Sequence, residues 1–112
     1  MFKIADHLVG ETYRRTQRFP DSERFALQSQ VRRAAVSVAS NIVEGCARPS
    51  KKDYMHFLSI ALGSASEARY LVNVAGRLGF IAPEDASELE AQYDGLVRGL
   101  QSLVSALDSS GQ

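Results

Sequence analysis

A chain of 112 residues with 45% hydrophobic and 23% charged residues has the length of one domain, able to keep a core without disulfides or metals. This composition excludes a wholly disordered chain, and no apolar run approaches the roughly 20 residues of a membrane span. The formal net charge of zero excludes a uniformly basic protein, but it is a cancellation: residues 1–52 hold ten Lys and Arg against five Asp and Glu, and residues 53–112 hold three against eight. Either the two halves occupy different surfaces and give the molecule a basic side, or they pack side by side and compensate. The single cysteine, Cys46, rules out an intramolecular bridge, and with no apolar leader at the start it points to a reducing cytoplasm.

Residues 2–19 place Phe2, Ala5, Leu8, Val9, Thr12, Tyr13, Thr16 and Phe19 at spacings of three and four, which predicts a helix with one buried stripe. Pro20 ends it by disfavouring helical geometry at Phe19, and Arg14, Arg15 and Arg18 suit the negative end of the helix dipole. Asp21 or Ser22 is positioned to cap the next helix, with Glu23 complementing its N-terminus.

The second helix is expected over residues 22–47. On a helical projection Leu27, Val31, Ala34, Val38 and Ile42 form a core stripe, and Ala35, Val36, Ala39, Val43 and Cys46 widen the apolar arc to about half the circumference. A bundle helix needs little more than about 100°, so this one is expected to contact something beyond its own bundle, most simply another copy of the chain. The remaining arc carries Gln30, Arg33, Ser37, Ser40, Asn41, Glu44 and Arg48 as a continuous polar seam. Asn41, at its edge, is expected to turn its amide toward a neighbouring helix and set the register.

Pro49 breaks the chain again, and Ser50 followed by Asp53 reads as a capping box opening a third helix to about Leu78. Its stripe is Tyr54, Phe57, Leu58, Ala61, Ala65, Ala68, Val72 and Ala75. Gly63 and Ser64 interrupt it with small residues that suggest close approach by another helix, a tolerated surface glycine being the alternative for Gly63. Gly79 has the place of a C-terminal glycine, and Pro83 restarts the chain at the first helical position with Glu84 and Asp85 beside it. Leu89, Tyr93, Leu96, Leu100, Leu103 and Leu107 form the fourth stripe. Residues 1–107 thus make a single domain, expected as an all-α, antiparallel up-and-down four-helix bundle, and the polar residues 108–112 are expected to form a flexible tail.

The run QVRRAAVSVASNIVEGCAR, preceded by FPDSERFAL and followed by Tyr54, Phe57, Leu58 and the Ala61, Gly63, Ser64, Glu67 pattern, resembles the bacterial four-helix bundle proteins encoded in intervening sequences of 23S rRNA genes. That family shades into the accessory variability determinants of diversity-generating retroelements. The resemblance spans about residues 5–107. It implies a small cytosolic bundle that assembles into a homopentameric ring, and the retroelement relatives bind a reverse transcriptase and nucleic acid through strongly basic surfaces. This chain departs from those relatives in its zero net charge. The motif maps onto Arg33, Ala34, Ser37, Asn41, Glu44, Gly45, Arg48, Gly63, Ser64 and Glu67, and it brings no catalytic roles.

No phosphate loop, nucleophile elbow or paired-histidine metal helix is present. Asp53 and His56 share a helix face but offer two ligands where a protein metal site needs at least three, so no metal or other cofactor is expected. Cys46 reads as a small buried hydrophobe. Arg33, Ser37, Asn41, Glu44 and Glu67 are read as a structural seam in which Arg33 and Glu44 bond to the third helix, Arg33 to Glu67. Gly45, Gly63 and Ser64 are read as sites of close helix packing. The bundle sorts the cations into candidate nucleic-acid contacts at two ends: Arg14, Arg15, Arg18 and Arg24 at one, Arg48, Lys51 and Lys52 at the other. The favoured function is a non-enzymatic oligomeric module presenting these clusters to RNA, DNA, a reverse transcriptase or another protein. The alternative is a small enzyme or ligand-binding bundle with its site at the seam or in a crevice between subunits.

Overall fold

The punctuation by Pro20, Pro49 and Gly79 produces four α-helices in the computed structural model, which describes residues 1–109: α1 Phe2–Arg15, α2 Leu27–Cys46, α3 Lys51–Arg77 and α4 Pro83–Ser109. No strand occurs among the described residues. Ser50 caps α3, its hydroxyl accepting the Asp53 N–H at 3.1 Å. At the other end of α3, Gly79 takes φ +80°, and the N–H groups of Phe80 and Gly79 bond back to the carbonyls of Ala75 and Gly76. This is a Schellman closure, and it needs a residue without a Cβ at its left-handed position. Pro83 opens α4 at a position where its missing N–H costs nothing.

Three boundaries depart from expectation. The first helix ends at Arg15 rather than Phe19. The Thr16 hydroxyl donates to the Thr12 carbonyl at 2.8 Å, the Thr16 carbonyl accepts from Gln28 Nε2 at 2.7 Å, and the chain then turns to bury Phe19 against Phe80, ring centroids 5.5 Å apart. Continuing the helix would carry that ring away from the core. The second helix is also interrupted, as a single 3-10 turn at Asp21–Glu23 followed by α2 from Leu27. The backbone at Ala26 leaves helical values, and the Glu23 carboxylate accepts the Leu27 N–H at 3.3 Å, taking the capping role expected of Asp21 or Ser22. At its far end α4 runs through Ser109, two residues into the expected tail; residues 110–112 lie outside the described residues.

Cross-helix bonds fix the topology. Ser37 with Ser64 and Gln30 with Glu67 join α2 to α3; Arg69 with Asp94 and Asn73 with Glu90 join α3 to α4; Thr12 with Tyr93 and Arg15 with Asp85 join α1 to α4. In each set the partners advance in opposite directions, so neighbours are antiparallel and α1 closes the circuit between α4 and α2. The result measures 49 × 22 × 19 Å. Ala61, Ala65, Ala68 and Ala75 form a fully buried row on α3 that lets α2 and α4 approach, and Leu8, Leu58, Leu89, Tyr93, Leu96 and Leu100 fill the space between.

The wide arc of α2 divides. Ala35 and Ala39 are buried within the bundle, whereas Val36 is 41% and Val43 53% exposed. Cys46, expected to be buried, is exposed. The bonds of Gln28 and Arg32 to Thr16 and Tyr13 set α1 antiparallel to α2, and with that register α1 begins opposite Val43; on the other side of the last turn of α2 Gly45 is buried against Tyr54 and Phe57 of α3, while Val43 and Cys46 stay exposed. No described helix is long and apolar enough to cross a membrane.

Candidate functional site

The polar seam of α2 meets α3 through hydroxyls. Ser37 Oγ and Ser64 Oγ are 2.7 Å apart, and Asn41 Nδ2 donates to the Ser37 carbonyl at 2.8 Å and to Ser37 Oγ at 3.1 Å. Asn41 therefore bonds to the preceding turn of its own helix and not to a neighbour. Glu44 pairs with Arg48, just past the end of α2, and not with α3. Glu67 accepts from Gln30 Nε2 at 3.4 Å, and Arg33 is exposed with no ion pair, so the expected Arg33–Glu67 pair is not formed. Exposure explains these departures: a solvated carboxylate on a helix surface finds a cation one turn away at little cost, whereas a cross-helix pair must order two long side chains. Gln30, Arg33, Ala34, Ser37, Ser64 and Glu67 line a shallow cleft of about 250 Å³.

Close packing falls at Gly45, where an added Cβ would lie 3.0 Å from Phe57 Cβ and 3.2 Å from Tyr54 Cδ1. Gly63 is the reverse, since among the described residues nothing lies within 4 Å of its Cβ position. Gly76, which the sequence reading passed over, is the tighter contact, with Ala86 Cβ 2.7 Å from its Cβ position. Its place just before the Schellman turn, where α3 hands over to α4, is the signal that could have found it.

The basic residues are unequally available. Arg14 pairs with Glu11, and Arg15 with Glu11, Asp85 and Glu88. The Arg14 hydrogen bond holds the Glu11 carboxyl below the usual carboxylate range against the opposing effect of burial. For Arg15 burial acts to lower the pKa, but Glu88, Asp85 and Glu11 together outweigh it and raise it. Arg48 is held by Glu44 and lies over the Phe57 ring at 4.9 Å. Arg18, Lys51 and Lys52 are exposed and unpaired. Arg14, Arg15 and Arg18 border a cleft of about 520 Å³ with Phe80, but Asp85 stands in it too. The opposite end has a cleft of about 350 Å³ beside Cys46, Arg48, Lys51 and Tyr54.

A third basic place was missed by the sequence reading apart from Arg24 and Arg33. Between α1 and the start of α2, a cleft of about 250 Å³ is lined by Tyr13, Arg24, Phe25, Ser29, Arg32 and Arg33. Arg32 is fixed there, its Nε donating to Thr16 Oγ1 at 2.8 Å and its guanidinium lying 4.5 Å from the Tyr13 ring centroid. Arg24 lies 5.4 Å from the centroid of Phe25, and Phe25 is 89% exposed. The visible signal is the Arg24-Phe25 pair about two turns ahead of the Arg32-Arg33 doublet.

Among the described residues no group of three or more His, Cys, Asp and Glu could hold a metal ion. His7 and His56 are exposed, and His56 makes an edge contact with Phe57.

A crystal structure of a protein of unknown function from the S23 ribosomal protein family of Bacteroides thetaiotaomicron VPI-5482 superposes with a TM-score of 0.75 at 22% sequence identity, covering 91% of this chain and 92% of that one. At that identity the likeness establishes the fold. Comparison with curated proteins finds no match. The family model described as 23S rRNA-intervening sequence protein matches residues 1–102, nearly the whole bundle. The chain therefore belongs to the 23S rRNA-intervening sequence protein family.

Proposed function

We propose that the protein is a non-enzymatic cytoplasmic scaffold that assembles with copies of itself into a closed ring, pentameric as the family resemblance implies, and presents repeated surfaces to a macromolecular partner. The observation that carries this reading is the band formed by Val36 and Val43 on α2 and Phe2 on α1, all exposed in a bundle whose core is complete without them. A ring requires a heterologous contact, one patch meeting a different patch on the next copy. The outer face of α3, with exposed Ile60, Tyr70 and the open Gly63, supports such a second patch, and the opposite charge of the two halves of the chain suits the pairing. The partners in view are RNA, DNA, a reverse transcriptase or another protein.

The alternative of a catalytic or small-ligand site along the seam has less support. The Ser37 and Ser64 hydroxyls engage each other, and no base lies within hydrogen-bond reach of either. Light scattering at micromolar concentration tests the assembly. The expected mass is a multiple of the chain that falls to one chain in V36E/V43E, whose far-UV circular dichroism stays helical. A monomeric wild-type protein refutes the ring.

A further inference from the structure

We infer that the cleft between α1 and the start of α2 binds a single-stranded nucleic-acid segment, with a base stacked on Phe25 and the flanking phosphates held by Arg24 and Arg33. The inference names a partner for the proposed scaffold, but it stands on the chain's own surface and does not need the ring.

Charge is the first argument. Arg24, Arg32 and Arg33 line the cleft and none has an ion-pair partner; Arg32 bonds to the Thr16 hydroxyl and the Tyr13 carbonyl, both neutral, so its charge stays uncompensated. No carboxylate lines this cleft, whereas Asp85 stands in the α1–α4 cleft and Glu67 in the seam. Of the arginines expected from sequence at the α1 end, Arg14, Arg15, Arg18 and Arg24, two, Arg14 and Arg15, are already neutralised by Glu11, Asp85 and Glu88. An anionic occupant is favoured here more than at any other described cleft.

Shape and chemistry are the second. Phe25 is the most exposed of the large apolar side chains described, at the rim of this same cleft, and its neighbour Arg24 also lies against the ring. Arg32 is held over the Tyr13 ring and bonded to Thr16, a preorganised guanidinium that does not have to be ordered on binding. An anion that also offers flat apolar faces matches this set, and a nucleotide strand combines the two: a π face for the aromatic ring and phosphates for the guanidinium groups. A duplex keeps its bases stacked inside and cannot present a face to Phe25. The volume, about 250 Å³, is small for an enclosed ligand site and suits one base with the strand leaving at both sides.

The test is fluorescence anisotropy of the full chain with a labelled single strand of about 12 nucleotides, as RNA and as DNA of the same sequence, and with the corresponding duplex. Binding is titrated at salt between about 50 and 200 mM. Both single strands are expected to bind more tightly than the duplex; a preference for the RNA or the DNA, or none, supports the inference equally and indicates the natural source. F25A is expected to weaken binding about tenfold with an unchanged salt slope. R24Q/R33Q is expected to reduce the slope by about 1.4, two phosphate contacts' worth, while K51Q/K52Q at the opposite end leaves affinity within about twofold. Absence of binding at the lowest salt, equal affinity of F25A and wild type, or equal affinity for the duplex overturns the inference. So does a change of oligomeric mass in F25A, which would assign Phe25 to a contact between copies. A monomer that binds would preserve this site and remove the ring, and a ring that does not bind would do the reverse.

Discussion

Replacing Tyr93 with Phe removes one oxygen from the centre of the bundle and should read out both its hydrogen bond and its ionisation. Tyr93 is fully buried on α4, and its hydroxyl lies 2.6 Å from Thr12 Oγ1, also fully buried, on α1. The ring remains in the variant, so the hydrophobic contribution is nearly unchanged and the loss is that of the bond. With the Thr12 hydroxyl left without its cross-helix partner, Y93F should cost about 1 to 1.5 kcal/mol. For a domain of this size that lowers Tm by about 4 to 8 °C per kcal/mol. Burial also pushes the Tyr93 phenol up from 10.0 to about 12, the Thr12 bond acting in the opposite sense. The folded state therefore holds a proton that the unfolded chain releases first, so this stabilisation is complete below pH 10 and is lost as pH rises toward 12. The loss is at most about 1.4 kcal/mol per pH unit across that window. Urea unfolding of both proteins at about pH 8 and about pH 11 measures it: wild type should lead by about 1 kcal/mol at the lower pH, with the gap narrowing by a similar amount at the higher. A gap independent of pH, or a variant more stable at neutral pH, refutes the reasoning.

Gly45→Ala sets about 1 kcal/mol of helix propensity against a rigid contact with Phe57 Cβ and should lose about 1 to 2 kcal/mol net, because α2 and α3 must separate. Gly63→Ala meets open space and should gain about 0.5 to 1 kcal/mol; thermal melts of the two variants should move in opposite directions. Arg15→Gln removes a half-buried cation facing Glu11, Asp85 and Glu88, and a loss of about 1 to 2 kcal/mol in urea unfolding is expected. The depressed Glu11 pKa adds a sign: its contribution is present above the ordinary carboxylate value of 4.5 and is lost as pH falls through the folded value, so the wild type should lose stability in that acid window. Arg33→Met should leave the unfolding free energy within about 0.5 kcal/mol of wild type in urea titration, since Arg33 is exposed and has no ion pair among the described residues.

Periodicity and punctuation made the helices legible because both are local. The Ser50 cap, the Gly79 turn and the Pro83 start follow from backbone geometry that any surrounding would keep. What depended on distant chain was not legible. The end of α1 is decided by burial of Phe19 against Phe80, sixty residues on. Projection onto a wheel puts Arg33, Asn41 and Glu44 on one seam but cannot choose their partners: Asn41 bonds to the preceding turn of α2, and Glu44 to Arg48 just past the end of that helix. Residue type and helical angle both favour a buried Cys46, but neither says how far along α2 its neighbour reaches, and the thiol is exposed. The Tyr13, Phe25 and Arg32 cleft arises only when α1 lies beside α2, and no single helix displays it.

The brevity of α1 also sets an order of unravelling. With 14 residues against 20 or 27 in the others, it buries only Ala5, Leu8 and Thr12 and is tied to α4 by the Thr12–Tyr93 bond and the Arg15 pairs, while α2, α3 and α4 share the alanine row. Its amides should exchange with solvent through a local opening well below the global unfolding free energy. The three longer helices can persist as a partially open species in which Tyr93 and the inner face of α2 become wet.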